Sequence, residues 1–104
     1  VRAGWARAIR AGHARVAAGL DVKAPVLVLC STLSSTPKNN ADPRIHSTDI
    51  VLDVEQIRRR APMISTHTSV AMIEGALHDV VLSKAGVRAH AYAEIDQFLG
   101  YVGR

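Results

Sequence analysis

Val26-Leu27-Val28-Leu29-Cys30 is an unbroken apolar run that follows Pro25 and precedes a stretch of Ser, Thr, Asn and Pro. A strand with one wet face alternates apolar and polar residues. A continuous run rich in β-branched residues instead predicts a strand covered on both faces, as in a parallel sheet. A second strand is expected over Thr66 to Ile73, where the alternation is loose. Parallel neighbours need a crossover between them, and a helix is available for it. Asp53 is its expected N-cap, with Gln56 at the capping-box position, and Val54, Ile57 and Ala61 form its apolar stripe. Pro62 marks its end.

Two further helices flank this unit. Ala3 to Leu20 carries Trp5, Ile9, Gly12 and Val16 on one stripe and Arg7, Arg10 and Arg15 on the other side. Gly19 is its expected stop, because glycine takes the left-handed conformation that closes a helix. Ser83 is the expected cap of a last helix reaching about Val102, with Val87, Ala91, Ile95, Phe98, Leu99 and Val102 on one face. The order helix, strand, loop, helix, strand, helix predicts an α/β fold with two parallel strands flanked by three helices. Two parallel strands make no stable sheet alone, so the chain reads as the end part of a larger one. The start at Val1, already inside a helical pattern, agrees with that expectation.

The 18 residues from Ser31 to Thr48 form a long polar loop without predicted structure. Loops of that length are uncommon in compact domains and are usually functional or disordered. This one is expected to be either a flap over a site or a floppy segment.

Composition narrows the classes. With 48% hydrophobic and 21% charged residues the 104-residue chain is expected to be one soluble, folded domain or a part of one. Only Trp5, Tyr92, Phe98 and Tyr101 are aromatic, so the core must be aliphatic. One cysteine, Cys30, excludes an internal disulfide and fits a reducing cytoplasm. At a strand end it is expected to be buried packing rather than a nucleophile. His13, His46, His67 and His90 show no metal-ligand spacing with Cys30, and no metal or cofactor is expected. The formal charge of +4 tolerates acidic partners without requiring them. Arg58-Arg59-Arg60 point three ways from a helix and read as a solvated face, with no aromatic residues interleaved for nucleic acid. The glycines form no phosphate-cradling pattern.

In open α/β sheets, chemistry collects in loops after the carboxyl ends of strands. After the first strand that region carries Thr48-Asp49-Ile50-Val51, and after the second Gly75-Ala76-Leu77-His78-Asp79. An Asp and a His at neighbouring strand ends can meet, the carboxylate holding one ring nitrogen while the other accepts a proton. The bland readings are a helix-entry carboxylate for Asp49 and a turn histidine bonded to backbone for His78. Asp53 is a rival acid whose place suits an N-cap better. Asp79 points away from the ring and would cap the following turn.

Pro25-Val26-Leu27-Val28-Leu29, Thr48-Asp49-Ile50-Val51 and Gly75-Ala76-Leu77-His78-Asp79, in this order, resemble the C-terminal third of the α/β-hydrolase superfamily. The likeness is to its monoacylglycerol-lipase, lysophospholipase and serine-aminopeptidase-like branch and covers nearly the whole chain. Asp49 and His78 lie 29 positions apart, and that branch has a spacing of some thirty. The resemblance implies a three-layer fold, His78 as general base and Asp49 as its orienting carboxylate in a Ser-His-Asp triad hydrolysing esters or small amides. It also implies that Gly75 and Ala76 are small so that the turn brings the imidazole to the nucleophile.

The chain departs from the family in lacking the Gly-x-Ser-x-Gly elbow and the oxyanion-hole loop, both upstream in the family. None of Ser31, Ser34, Ser35, Ser47, Ser65, Ser69 and Ser83 sits in a strand-to-helix elbow. The expectation is therefore a C-terminal fragment of a serine hydrolase, inactive by itself. A non-catalytic α/β interaction module on a hydrolase-like scaffold is the competing class. A third is an anion-binding domain using Arg58 to Arg60 and the N-terminal arginines, which steeply salt-dependent binding to nucleic acid would reveal. Open strand edges or apolar helix faces are expected to make the chain a homo-oligomer.

Overall fold

The computed structural model describes residues 3–103. Helix α1 spans Ala3–Ala18, strand β1 Val26–Ser31, helix α2 Val54–Arg60, strand β2 Thr68–Ile73 and helix α3 Ala85–Val102. The strands pair in parallel, Val26 opposite Thr68 through Ser31 opposite Ile73. This is the expected α/β arrangement of two parallel strands and three helices.

The continuous apolar run in β1 is explained by what lies above and below it. Successive residues of a strand face opposite ways. On one face Leu29, Ala71 and Ile73 meet Val87 and Ala91 of α3, with Ala76 and Val80 completing the cluster. On the other face Cys30 and Met72 stand in register, Sγ 3.2 Å from Sδ, and α2 packs against β1 with Val54 buried. Helix, sheet and helix thus form three layers. Cys30 is buried packing, as expected, and its thiol is pushed up by burial first and then by the nearby Asp49 carboxylate.

Several local expectations need correction. The apolar stripe of α1 covers no core: the helix has no buried residue, and Trp5 is 60% exposed. Gly19 does close α1 with φ +97°. Beyond it the chain is tied to the turn after α2, Leu20 N–H to Met63 O at 2.7 Å and Val22 N–H to Ile64 O at 3.1 Å. β2 starts at Thr68, not Thr66. Asp53 caps α2 by accepting the Glu55 N–H. Ser83 does not cap α3. Lys84 occupies that position without a side-chain bond, because the Ser83 hydroxyl accepts the Leu77 N–H at 3.0 Å. Asp79 precedes a 3-10 turn, Val80–Leu82, but its carboxylate makes no capping bond there.

The molecule is flat, 44 × 38 × 19 Å, with a radius of gyration of 15.2 Å against about 13 Å for a compact chain this long. Its accessible surface is 7486 Å², where a compact monomer of this mass has about 5,700 Å². Large apolar side chains lie on this surface: Trp5, Leu33, Val51, Leu82, Leu99 and Tyr101 are all exposed. Among the described residues no helix is long and apolar enough to cross a membrane.

Candidate active site

The acid and the imidazole follow the carboxyl ends of the two paired strands, His78 after a short turn beyond β2 and Asp49 after the long loop beyond β1. β2 ends at Ile73, and the chain reverses at Gly75, whose φ is +78°. A Cβ at Gly75 would also lie 3.3 Å from Val87 Cγ2, so both conformation and space call for glycine there. Ala76 is small because it is fully buried in the core cluster. The Leu77 N–H is held by Ser83, and His78 follows, projecting from this pinned turn.

The loop after β1 delivers the carboxylate. Asp49 N–H donates to Leu33 O at 2.9 Å, and Ser35 N–H donates to Asp49 O at 3.0 Å. These bonds make an isolated parallel bridge between Ser34 and Asp49. The long polar loop, read from the sequence as either a flap or a floppy segment, therefore holds a backbone bridge to the acid. Its centre is Asp42, a buried residue whose carboxylate accepts the N–H groups of Lys38 and Arg44 and the Arg44 guanidinium. The Arg44 side chain and these two N–H groups hold the Asp42 carboxyl far below the usual carboxylate range. Asp42 also caps a 3-10 turn over Pro43–His46. Thr48 Oγ1 donates to Arg44 O, so the hydrogen bond between Ser35 and Thr48 has the Ser35 hydroxyl as donor.

Asp49 and His78 meet. Asp49 Oδ2 lies 2.9 Å from His78 Nδ1. The other oxygen, Oδ1, accepts the N–H groups of Val51 and Leu52, each at 2.8 Å. The residue is 1% exposed. Burial by itself pushes the carboxyl up, but the Leu52 N–H, the His78 ring and the Val51 N–H together outweigh it and leave the carboxyl below its ordinary value. A carboxylate only accepts, so Nδ1 must carry the proton and Nε2 of the neutral ring is left with a lone pair. The His78 side chain is 41% exposed, beside an open depression lined by Leu29, Asp79, Val80 and Val81. An oriented imidazole with a free, accessible basic nitrogen can take up a proton and return it, the neighbouring carboxylate stabilising the charged form.

No family model, no curated protein and no solved structure matches this chain.

The remaining polar residues lie elsewhere or serve the backbone. Among the described residues no hydroxyl bonds to His78, and no three His, Cys, Asp or Glu side chains converge as metal ligands would. Asp53 is occupied as a helix cap and is not part of the pair. Arg58 pairs with Glu55 on the exposed face of α2. Sequence reasoning missed Ser34 and Ser83 as supports of the site. Their contacts are to backbone atoms several to twenty positions away, which no local spacing announces.

Proposed function

We propose that Asp49 and His78 are the acid and base of a Ser-His-Asp triad in a serine hydrolase of the α/β-hydrolase class acting on esters or small amides. The carrying observation is the Nδ1–Oδ2 contact of 2.9 Å, made by a buried carboxylate whose other oxygen is already occupied by two backbone N–H groups. A carboxylate so held has one orientation and presents it to one ring nitrogen. Nε2 then receives the proton of an attacking serine hydroxyl and passes it to the leaving alkoxide or amine, while Asp49 keeps the tautomer and stabilises the imidazolium. On this reading the serine and the oxyanion donors lie on a longer chain, outside the given residues. The parallel pair standing as a sheet of only two strands supports this, since such a sheet is stable only with further strands beside it. A single buried free thiol supports a reducing compartment such as the cytoplasm.

The test is fluorophosphonate labelling of the full-length protein. Labelling is expected in the native protein and is expected to be lost, or slowed by orders of magnitude, in His78→Ala and Asp49→Ala. Normal labelling in a folded His78→Ala protein would overturn the assignment. Absence of any reactive serine in the full-length protein would favour the competing reading, a non-catalytic interaction module.

A further inference from the structure

We propose that Ser34 is a positioning residue of this site, holding the Asp49 carboxylate in its working orientation through the turn that follows it. The inference rests on the reading of Asp49 and His78 as a catalytic pair. Ser34 grips the acid loop twice. Its backbone is paired with Asp49 in the isolated parallel bridge, while its hydroxyl donates to Leu52 O at 2.6 Å and accepts the Val54 N–H at 2.8 Å. Leu52 is the residue whose N–H reaches Asp49 Oδ1, and Val54 begins α2 with its side chain buried. The hydroxyl therefore closes the segment from Asp49 to Val54 into a ring whose inward N–H groups, those of Val51 and Leu52, hold one oxygen of the carboxylate. The second oxygen is thereby aimed at His78.

Deleting the Ser34 hydroxyl leaves the Leu52 carbonyl and the Val54 N–H without this partner. The turn relaxes by letting the Leu52 N–H swing away from Oδ1. Of the groups that draw the Asp49 carboxyl down, that N–H comes first, ahead of the His78 ring. The pair then loses orientation without losing either of its members. Ser34 touches neither the imidazole nor any reacting atom by this account.

Thr and Val at position 34 give the deciding comparison, since they match in shape and differ in the hydroxyl, and the residue is exposed enough to take the extra methyl. In the full-length protein, the Asp49 carboxyl is followed by carbon-13 NMR titration and the His78 Nδ1 proton by its downfield resonance. Ser34→Thr is expected to keep both signals as in the unmodified protein. Ser34→Val is expected to move the Asp49 titration to higher pH and to weaken the downfield proton. In turnover, Ser34→Val is expected to lower kcat by up to about 100-fold with KM unchanged, and Ser34→Thr to restore it. Thr and Val variants with the same titration would overturn the proposal. If the protein turns over neither esters nor small amides, the hydrolase reading fails, and the titration still decides whether the Ser34 hydroxyl orients Asp49.

Discussion

Asp49 offers its two carboxylate oxygens to different masters: Oδ1 to the N–H groups of Val51 and Leu52, and Oδ2 to Nδ1 of His78. Local backbone thus holds the group from one side and leaves the other for a residue 29 positions away. The arrangement separates holding from function, and each half makes its own prediction.

Asp49→Asn keeps size and much of the shape but adds an N–H donor. If the amide nitrogen faces His78, the ring must turn its lone pair at Nδ1 toward it and carry its proton at Nε2, the wrong tautomer for a base. On the proposed mechanism kcat of the full-length hydrolase falls by about 10⁴-fold, while the fold survives. Steady-state kinetics beside a circular dichroism spectrum checks both halves of this expectation.

Acid should unfold the chain through two carboxylates. Asp49 and Asp42 both have folded-state values below the ordinary carboxylate value, which is about 3.9 in the unfolded chain. Their ionised forms therefore stabilise the fold above that pH, and the contribution is lost as pH falls through the lower, folded values. Urea midpoints are expected to be flat from neutral pH to about pH 5 and to drop below about pH 4. Asp42→Asn is expected to be less stable at neutral pH and to show a shallower acid slope. An unchanged slope would remove Asp42 from the account.

Gly75→Ala is expected to destabilise by about 1–2 kcal/mol from the left-handed backbone alone, with crowding against Val87 added. Because the same turn carries His78, the downfield Nδ1 proton should shift as well. Thermal unfolding and proton NMR measure the two effects separately.

The 104-residue polypeptide on its own is expected to self-associate. Both strands have an open edge in the two-stranded sheet, and the surface exceeds that of a compact chain by roughly twice the ~800 Å² that each partner buries in a standard protein interface. Sedimentation velocity over a concentration series should show dimers or larger species. A well-folded monomer at high concentration would refute it.

Much of the fold was legible locally. The apolar run of β1 announced a strand covered on both sides, and Asp53 and Gly19 marked helix ends, because each signal is a contest between nearby groups. The pairing of Asp49 with His78 was legible only in outline, from their places after two strand ends. Other readings failed where the partner was distant. Ser83 looks like a cap for the helix just beyond it, yet its hydroxyl goes back to Leu77. The polar stretch after β1 shows no regular pattern, yet its start pairs with its end, Ser34 with Asp49, fifteen positions on. Side-chain periodicity carries which face of a segment is apolar, but not what will meet it, as the exposed stripe of α1 shows. The chain by itself determined the kinds of element, their order and the loops that bear the acid and the imidazole. Tertiary structure alone decided that Oδ2 reaches Nδ1 and that Ser34 and Ser83 hold the two turns in place. Such bonds depend on distances between remote backbone atoms, which exist only once the strands have paired.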